Sequence, residues 1–390
     1  MVVLDGIGRA LLESVSMFWQ VLWPLALGFL LSAVIETQVS RQRIAGTLGR
    51  RDARGVALAT AFGAASSSCS YAAVAIARSL FRKGAEFGNA IIFEFASTNL
   101  VFELGLVLLV FLGWQFLAGE LSGGIVMVAL LALVFHLTLH RDLVDQARRE
   151  AEHGRVGRME GHAAMDMSVT DGPLLRRLFS DRGITTVAHS FFMGVASVWT
   201  DLLLGFLIAG ALEAWVPSEV WTHLFLTGHG VLSDVWGALV APLVSVFSFV
   251  CSVGNVPLAA VLWRGGVSFA GAIAFIFADL IIIPIVRIHA RYYGWRAAAY
   301  LFAVSYAAMA TAGLVVGLLF RAFGAEPTSH AVTILDTHPS WNMDTYLDIV
   351  FIVLVIGLGM RFLRTGGLTM LRLMNVPEGA LAHHAGHAPT

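Results

Sequence analysis

The feature that most constrains this chain is a succession of apolar runs long enough to cross a bilayer. A spanning helix needs about 20 apolar residues. Such runs lie at 16–38, 86–112, 120–140, 186–213, 267–290, 297–322 and 345–363. Two further runs, at 55–81 and 237–263, are as long but are interrupted by small polar residues. The first contains Ser66, Ser67, Ser68, Cys69 and Ser70; the second contains Ser248, Cys251, Ser252, Gly254 and Asn255, then Pro257. Charged residues make up only 13% of the 390, against about 25% in a soluble domain. A surface so poor in charge has to face lipid. The fold class is therefore all-α, a polytopic integral membrane protein.

Asp5, Arg9 and Glu13 precede the first run, and no small-residue cleavage pattern follows a short apolar core, so that run is expected to stay as an anchor. Two cysteines are too few for a disulfide framework. No basic stripe accompanies the net charge of −1, which excludes a nucleic-acid partner. No P-loop is present, so no ATP motor and no cofactor are expected. No catalytic constellation appears either, and the chain is not read as an enzyme.

The chain repeats itself. Shifted by 182 positions, 66–96 aligns without a gap on 248–278, with 14 of 31 pairs identical. The pairs include Cys69/Cys251, Ser70/Ser252, Arg82/Arg264, Gly84/Gly266 and Phe87/Phe269. Apolar composition alone would give about a tenth to a seventh identity, so the register marks a duplication.

Charge distribution chooses the topology. If all nine runs crossed fully, 11 basic residues would lie inside and 13 outside, against the tendency for Lys and Arg to stay in the cytoplasm. If the two interrupted runs are hairpins that return to their own side, 21 lie inside and 3 outside. The hairpins then enter from opposite sides, and the halves are inverted repeats, each with a broken or re-entrant element, as in many secondary transporters. A full span kinked at Pro257 is the alternative. The expected organisation is a first transmembrane repeat (1–140), a cytoplasmic linker (141–185) and a second repeat (186–323). Residues 324–390 supply an extracytoplasmic loop, an added transmembrane helix and a cytoplasmic tail. The setting is the inner (plasma) membrane.

Candidate substrate-binding residues are Ser67, Ser68, Cys69, Ser70, Cys251, Ser252 and Asn255 at the hairpin tips, with Asn99 in the following span. Broken helices expose backbone N–H and C=O groups that bind ions, and the thiols of Cys69 and Cys251 are candidate soft-metal ligands. Small residues at the tips also serve close packing. Glu94, Asp279 and Glu103 are candidates for proton or ion coupling, because ionisable groups at membrane depth face a pathway or a partner. Interhelical hydrogen bonding is the structural alternative. Ser97 and Asp279 occupy equivalent positions. His136, His189 and His289 read as lone histidines near span ends. The partners are the lipid bilayer and a small-molecule or ion substrate; self-association into a homo-oligomer stays open.

The segments from Cys69-Ser70-Tyr71 to Ala96 and from Cys251-Ser252-Val253 to Ala278 resemble a bacterial family of predicted permeases that includes organoarsenical efflux permeases. The resemblance spans roughly 16–323. It implies ion-driven efflux of a small toxic solute, with organoarsenicals or soft metal ions as substrate types. The family's repeats carry C-S-C followed by proline. Here Tyr71 and Val253 replace the second cysteines and Ala75 stands opposite Pro257, which weakens transfer of a thiol-seeking substrate. A membrane-embedded partner subunit or intramembrane enzyme is the alternative function.

Overall fold

A computed structural model describes residues 2–20, 22–38, 48–50, 52–68, 70–153, 180–247, 252–327, 329–330, 332 and 343–373. The described residues are helical, without strands. The first half comprises α1 (Val2–Gln20), α2 (Leu22–Gln38), α3 (Ala53–Ser66), α4 (Ser70–Arg82), α5 (Phe87–Asn99), α6 (Phe102–Leu112) and α7 (Trp114–Thr138). A polar helix, α8 (Arg141–His153), follows. The second half comprises α9 (Asp181–Trp215), α10 (Ser218–Leu224), α11 (Val231–Val246), α12 (Asn255–Arg264), α13 (Phe269–Ile276), a 3-10 turn (Phe277–Ile281), α14 (Ile283–Tyr293) and α15 (Trp295–Ala322). Then come α16 (Met343–Arg364) and α17 (Gly367–Leu373).

Among the described residues, four helical segments are long and apolar enough to span a membrane unaided: Phe87–Leu112, Trp114–Thr138, Trp295–Ala322 and Thr345–Arg364. Two bent pairs bring the number to six, Gly6–Trp19 with Leu22–Leu31 at 46° and Phe269–Ile281 with Ile283–Tyr293 at 41°. The run at 186–213 lies within the 35-residue α9. Helix also begins well before residue 16, so Asp5, Arg9 and Glu13 sit inside α1 rather than ahead of it. There Ala10 and Ser14 pack against Gly210 of α9. Pro284 does not itself make the kink in its run. The break is at Ile282, and Pro284 occupies the first turn of α14, where a missing N–H costs little.

The duplication extends beyond the identical residues. A shift of 182 carries α5 at 87–99 onto 269–281, which is α13 plus the 3-10 turn. After the break the register becomes 181, and α6 at 102–112 falls on α14 at 283–293. One residue is lost because Leu100 and Val101 separate the helices in the first half and only Ile282 in the second. The close contacts repeat too. A side chain on Gly55 would meet Asn89, and one on its equivalent Gly237 would meet Gly271, the equivalent of Asn89. Gly84 and Gly266 both turn the chain with positive φ, 104° and 94°, a conformation that glycine adopts freely.

Both interrupted runs are hairpins. Entry and exit of the first are tied at one end, since the Glu86 N–H donates to the Leu48 carbonyl at 3.0 Å and the Asn89 amide donates to the Leu48 and Arg50 carbonyls. The second is tied likewise: the Thr227 hydroxyl donates to the Gly266 carbonyl at 2.7 Å and Ser268 to the Ser233 carbonyl at 3.1 Å. A kinked full span would separate those ends.

The straight helix α7 locates each base. Near its start, Phe116 packs edge-on against Trp263 and Phe269 at the exit of the second hairpin. Near its end, Phe135 lies against Gly88 at the exit of the first. At 1.5 Å per residue, the 19 residues between these phenylalanines span about 28 Å, close to the roughly 30 Å of bilayer hydrocarbon. The two hairpins thus start from opposite ends of the bundle and point inward.

Candidate functional site

The tips meet. The Ser252 N–H donates to the Ser70 hydroxyl oxygen at 3.3 Å, joining two residues that are equivalent under the 182 shift. Ser70 opens α4, and α12 begins three residues after Ser252, so two helix N-termini converge with their positive dipole ends. The Ser70 hydroxyl in turn donates to Asp279 Oδ2 at 2.6 Å. Asp279 is fully buried in the 3-10 turn, with the Asn99 side chain beside the same carboxylate.

Local strain and backbone hydrogen bonds shape this centre. The first hairpin turns through Ser67, whose φ of 36° is left-handed. A non-glycine residue held there costs on the order of 1 kcal/mol and persists only where its surroundings impose it. The Ser68 N–H then docks on the Ser97 carbonyl at 2.9 Å, capping an otherwise unsatisfied carbonyl at the end of α5. The Ser97 hydroxyl back-bonds to the Glu94 carbonyl at 2.9 Å, and the Asn99 amide donates to Thr98 Oγ1 at 2.9 Å.

Toward the end of the bundle that holds the first hairpin's base, Glu94 pairs with His289 at 2.9 Å, both nearly or fully excluded from solvent. His289 stacks beside Tyr293, which packs on Phe87. The histidine read as solitary in the sequence therefore has an acidic partner from the other half. Open cavities lie at both ends of the bundle. One of about 330 Å³ is lined by Asp52, Glu86, Asn89 and His136. Another, of about 250 Å³, is lined by Asp234, Ser268, Arg321 and His330.

Ser68, Ser70, Asn99, Ser252 and Asp279 are thus brought together, with Glu94 alongside. Ser67 supplies the turn. The Asn255 amide donates to Ser245 at 3.1 Å, and Ser245 donates to the Ala278 carbonyl at 3.3 Å, next to Asp279 in the chain. Glu103 lies against Gly28 of α2. Cys69 and Cys251 fall outside the described residues, as does Ser248. Among the described residues no group of three or more His, Cys, Asp or Glu could hold a metal ion. Sequence reading overlooked Glu120 and Asp348, both buried. Each is a lone acid in an apolar run, the signal that singled out Asp279. Asp348 accepts the Trp23 N–H at 2.9 Å, capping α2 where it follows α1.

A polytopic helical membrane protein with duplicated hairpins meeting at a buried polar centre is built as a permease. The comparisons agree: the profile of the predicted permease family ArsP_1 matches residues 7–318, and the chain belongs to that family. It is 50% identical over 347 residues to "Putative permease Rv2963" of Mycobacterium tuberculosis, covering 89% of this chain and 86% of the relative. It is 32% identical over 130 residues to "UPF0718 protein YraQ" of Escherichia coli K12, covering 32% of this chain and 36% of that protein. No solved structure matches it.

Proposed function

We propose that the chain is an ion-coupled secondary transporter whose two halves are inverted repeats and whose substrate passes between the hairpin tips. One observation carries the reading: equivalent serines, Ser70 and Ser252, touch each other beside the buried Asp279 carboxylate. Contact between equivalent residues is what a two-fold relation between the halves produces near its axis, and transporters of this plan bind substrate there. Asp279 and Glu94 are the coupling acids, since buried carboxyls at membrane depth are costly unless they carry out such work. The end bearing the first hairpin's base also bears Arg82, α8 and the start of α15. Its basic residues favour a cytoplasmic placement of that end. The permease names of its relatives support a transporter over an intramembrane enzyme. Export of an organoarsenical or soft metal ion is the substrate class we assign.

The test uses the full purified chain in liposomes under proton or sodium gradients, with methylarsenite, copper(I), zinc and an anion as probes. Movement of a probe that stops when the gradient is collapsed supports the reading. Movement of none under either gradient overturns it.

A further inference from the structure

The site described above makes no use of Glu120. This residue lies on α7 one turn after Phe116, is 1% exposed, and neither carboxyl oxygen has a hydrogen-bond partner among the described residues. An isolated carboxylate loses several kcal/mol of solvation on burial, so a carboxyl here holds a proton or a cation. Packing fixes where it faces. Gly119 lies against Ile273 of α13, Gly123 against Phe277 two residues before Asp279, and Gly124 against Leu100 at the end of α5. Glu120 therefore lies on the face of α7 that packs against the Asp279 turn. The Oδ1 atom of Asp279 also has no partner among the described residues.

We infer that Glu120 and Asp279 share one proton, and that Glu120 is where protons join the coupling line from the Trp263 end of the bundle. The inference rests on the transporter reading. Glu120 and Asp279 are near enough to repel when both are ionised. Asp279 and Glu94 stand in the same relation, and Glu94 binds His289 at 2.9 Å. These relations set four protonatable groups in order from near Phe116 to near Tyr293, with one direct contact, Glu94 to His289. A proton taken up on Glu120 passes to Asp279, then Glu94, then the His289 imidazole, and leaves at the opposite end; one enters, one leaves, and only bonds to that proton change. Of the elements packed on α7, α5 brings Glu94, the 3-10 turn Asp279 and α6 Glu103, while α13 brings no charge. Arg296 and Arg321 of α15 sit at its ends, on Gln146 and Asp234.

Infrared difference spectra of the reconstituted full chain between two pH values test this without a substrate. The wild type should show a protonated-carboxyl band that Glu120→Gln removes and Asp279→Asn shifts. In the same liposomes, Glu120→Gln should lose pH-gradient-driven methylarsenite uptake, and Glu120→Asp should recover it. Glu120→Asp also serves if the glutamine variant fails to insert, because its band must move. An unaltered spectrum in both variants overturns the inference. So do carboxylate bands that respond to sodium and not to pH, which would mark a cation site. If the wild type moves no probe, the transporter reading fails, while the spectra still decide whether the pair holds a proton.

Discussion

The two halves share a backbone plan and differ in their chemistry. The close approach of α3 to α5 at Gly55 recurs between α11 and α13 at Gly237, and both hairpin exits turn on a glycine with positive φ. Polar equipment does not follow. Ser97 in the first half stands where Asp279 stands in the second, and Glu94 where the second half has Ile276. Helix contacts leave no room for change where backbones nearly touch, whereas a central site tolerates any polar group that finds a partner. The first half therefore brings Glu94 and Glu120 toward the centre and the second brings Asp279, and neither half alone makes the line from Asp279 to His289.

The sharpest way to break this comparison is to remove its asymmetry. Asp279→Asn should abolish gradient-driven transport in a variant that still inserts, because Ser70 keeps an acceptor but the site loses its charge. Wild-type uptake by a stably inserted Asp279→Asn protein would remove Asp279 from coupling. Moving the acid to the equivalent position of the other half, as Ser97→Asp with Asp279→Ser, should not restore uptake. An acid at 97 would lie three residues from Glu94 on one helix face, where like charges repel. Recovered transport would show that the equivalent positions are interchangeable.

The opposed hairpins predict an all-or-none difference in labelling. Single cysteines replacing Arg82 and Arg264, in a chain whose native cysteines are serine, should react oppositely with an impermeant reagent in intact cells. The 264 site labels and the 82 site does not. Labelling of both, or of 82 alone, contradicts the inverted arrangement.

Much of this was legible in the sequence because it depends on local pattern. Serine clusters inside apolar runs marked the breaks, the 182-residue register paired Ser70 with Ser252, and the lone acid Asp279 marked the centre. The partner of each group was not legible, because partners are set by how helices cross. His289 gave no sign of Glu94, 195 residues away. Glu103 lies one turn from Asn99, yet the break at Leu100 and Val101 places it against Gly28 of α2. Asn255, a candidate at the second tip, gave no sign of its partner Ser245.

A smaller effect compares another equivalent pair, Asp52 and Asp234, at the outer ends of the two hairpins. Asp234 is fully buried and binds Arg321 at 2.6 Å, tying α11 to α15. Asp234→Asn leaves Arg321 with Glu326 at 3.3 Å. Breaking a buried pair costs about 3–5 kcal/mol, and the partial exposure of Arg321 reduces this to about 1–3 kcal/mol. The unfolding midpoint in detergent should fall measurably; an unchanged midpoint would show that this tie adds nothing.

Asp52 should give the smallest change, and its sign can be worked out. Its Oδ1 accepts the Gly55 N–H at 2.8 Å as the N-cap of α3, and Arg50 lies 3.0 Å from Oδ2. The Gly55 hydrogen bond, followed by the charge of Arg50, holds the Asp52 carboxyl below its ordinary 3.8 despite some desolvation. A carboxyl lowered by folding stabilises the fold above its unfolded value, and that stabilisation disappears as pH falls through the lower folded value. Asp52→Ala removes both the cap and the charge, whereas Asp52→Asn keeps a good capping residue. At neutral pH, amide exchange at Gly55 should quicken in the alanine variant and change little in the asparagine variant. The difference in stability between wild type and Asp52→Ala should shrink as pH drops below 3.8. A difference that persists unchanged through that range would mean that the cap works through packing rather than through the ionised carboxylate.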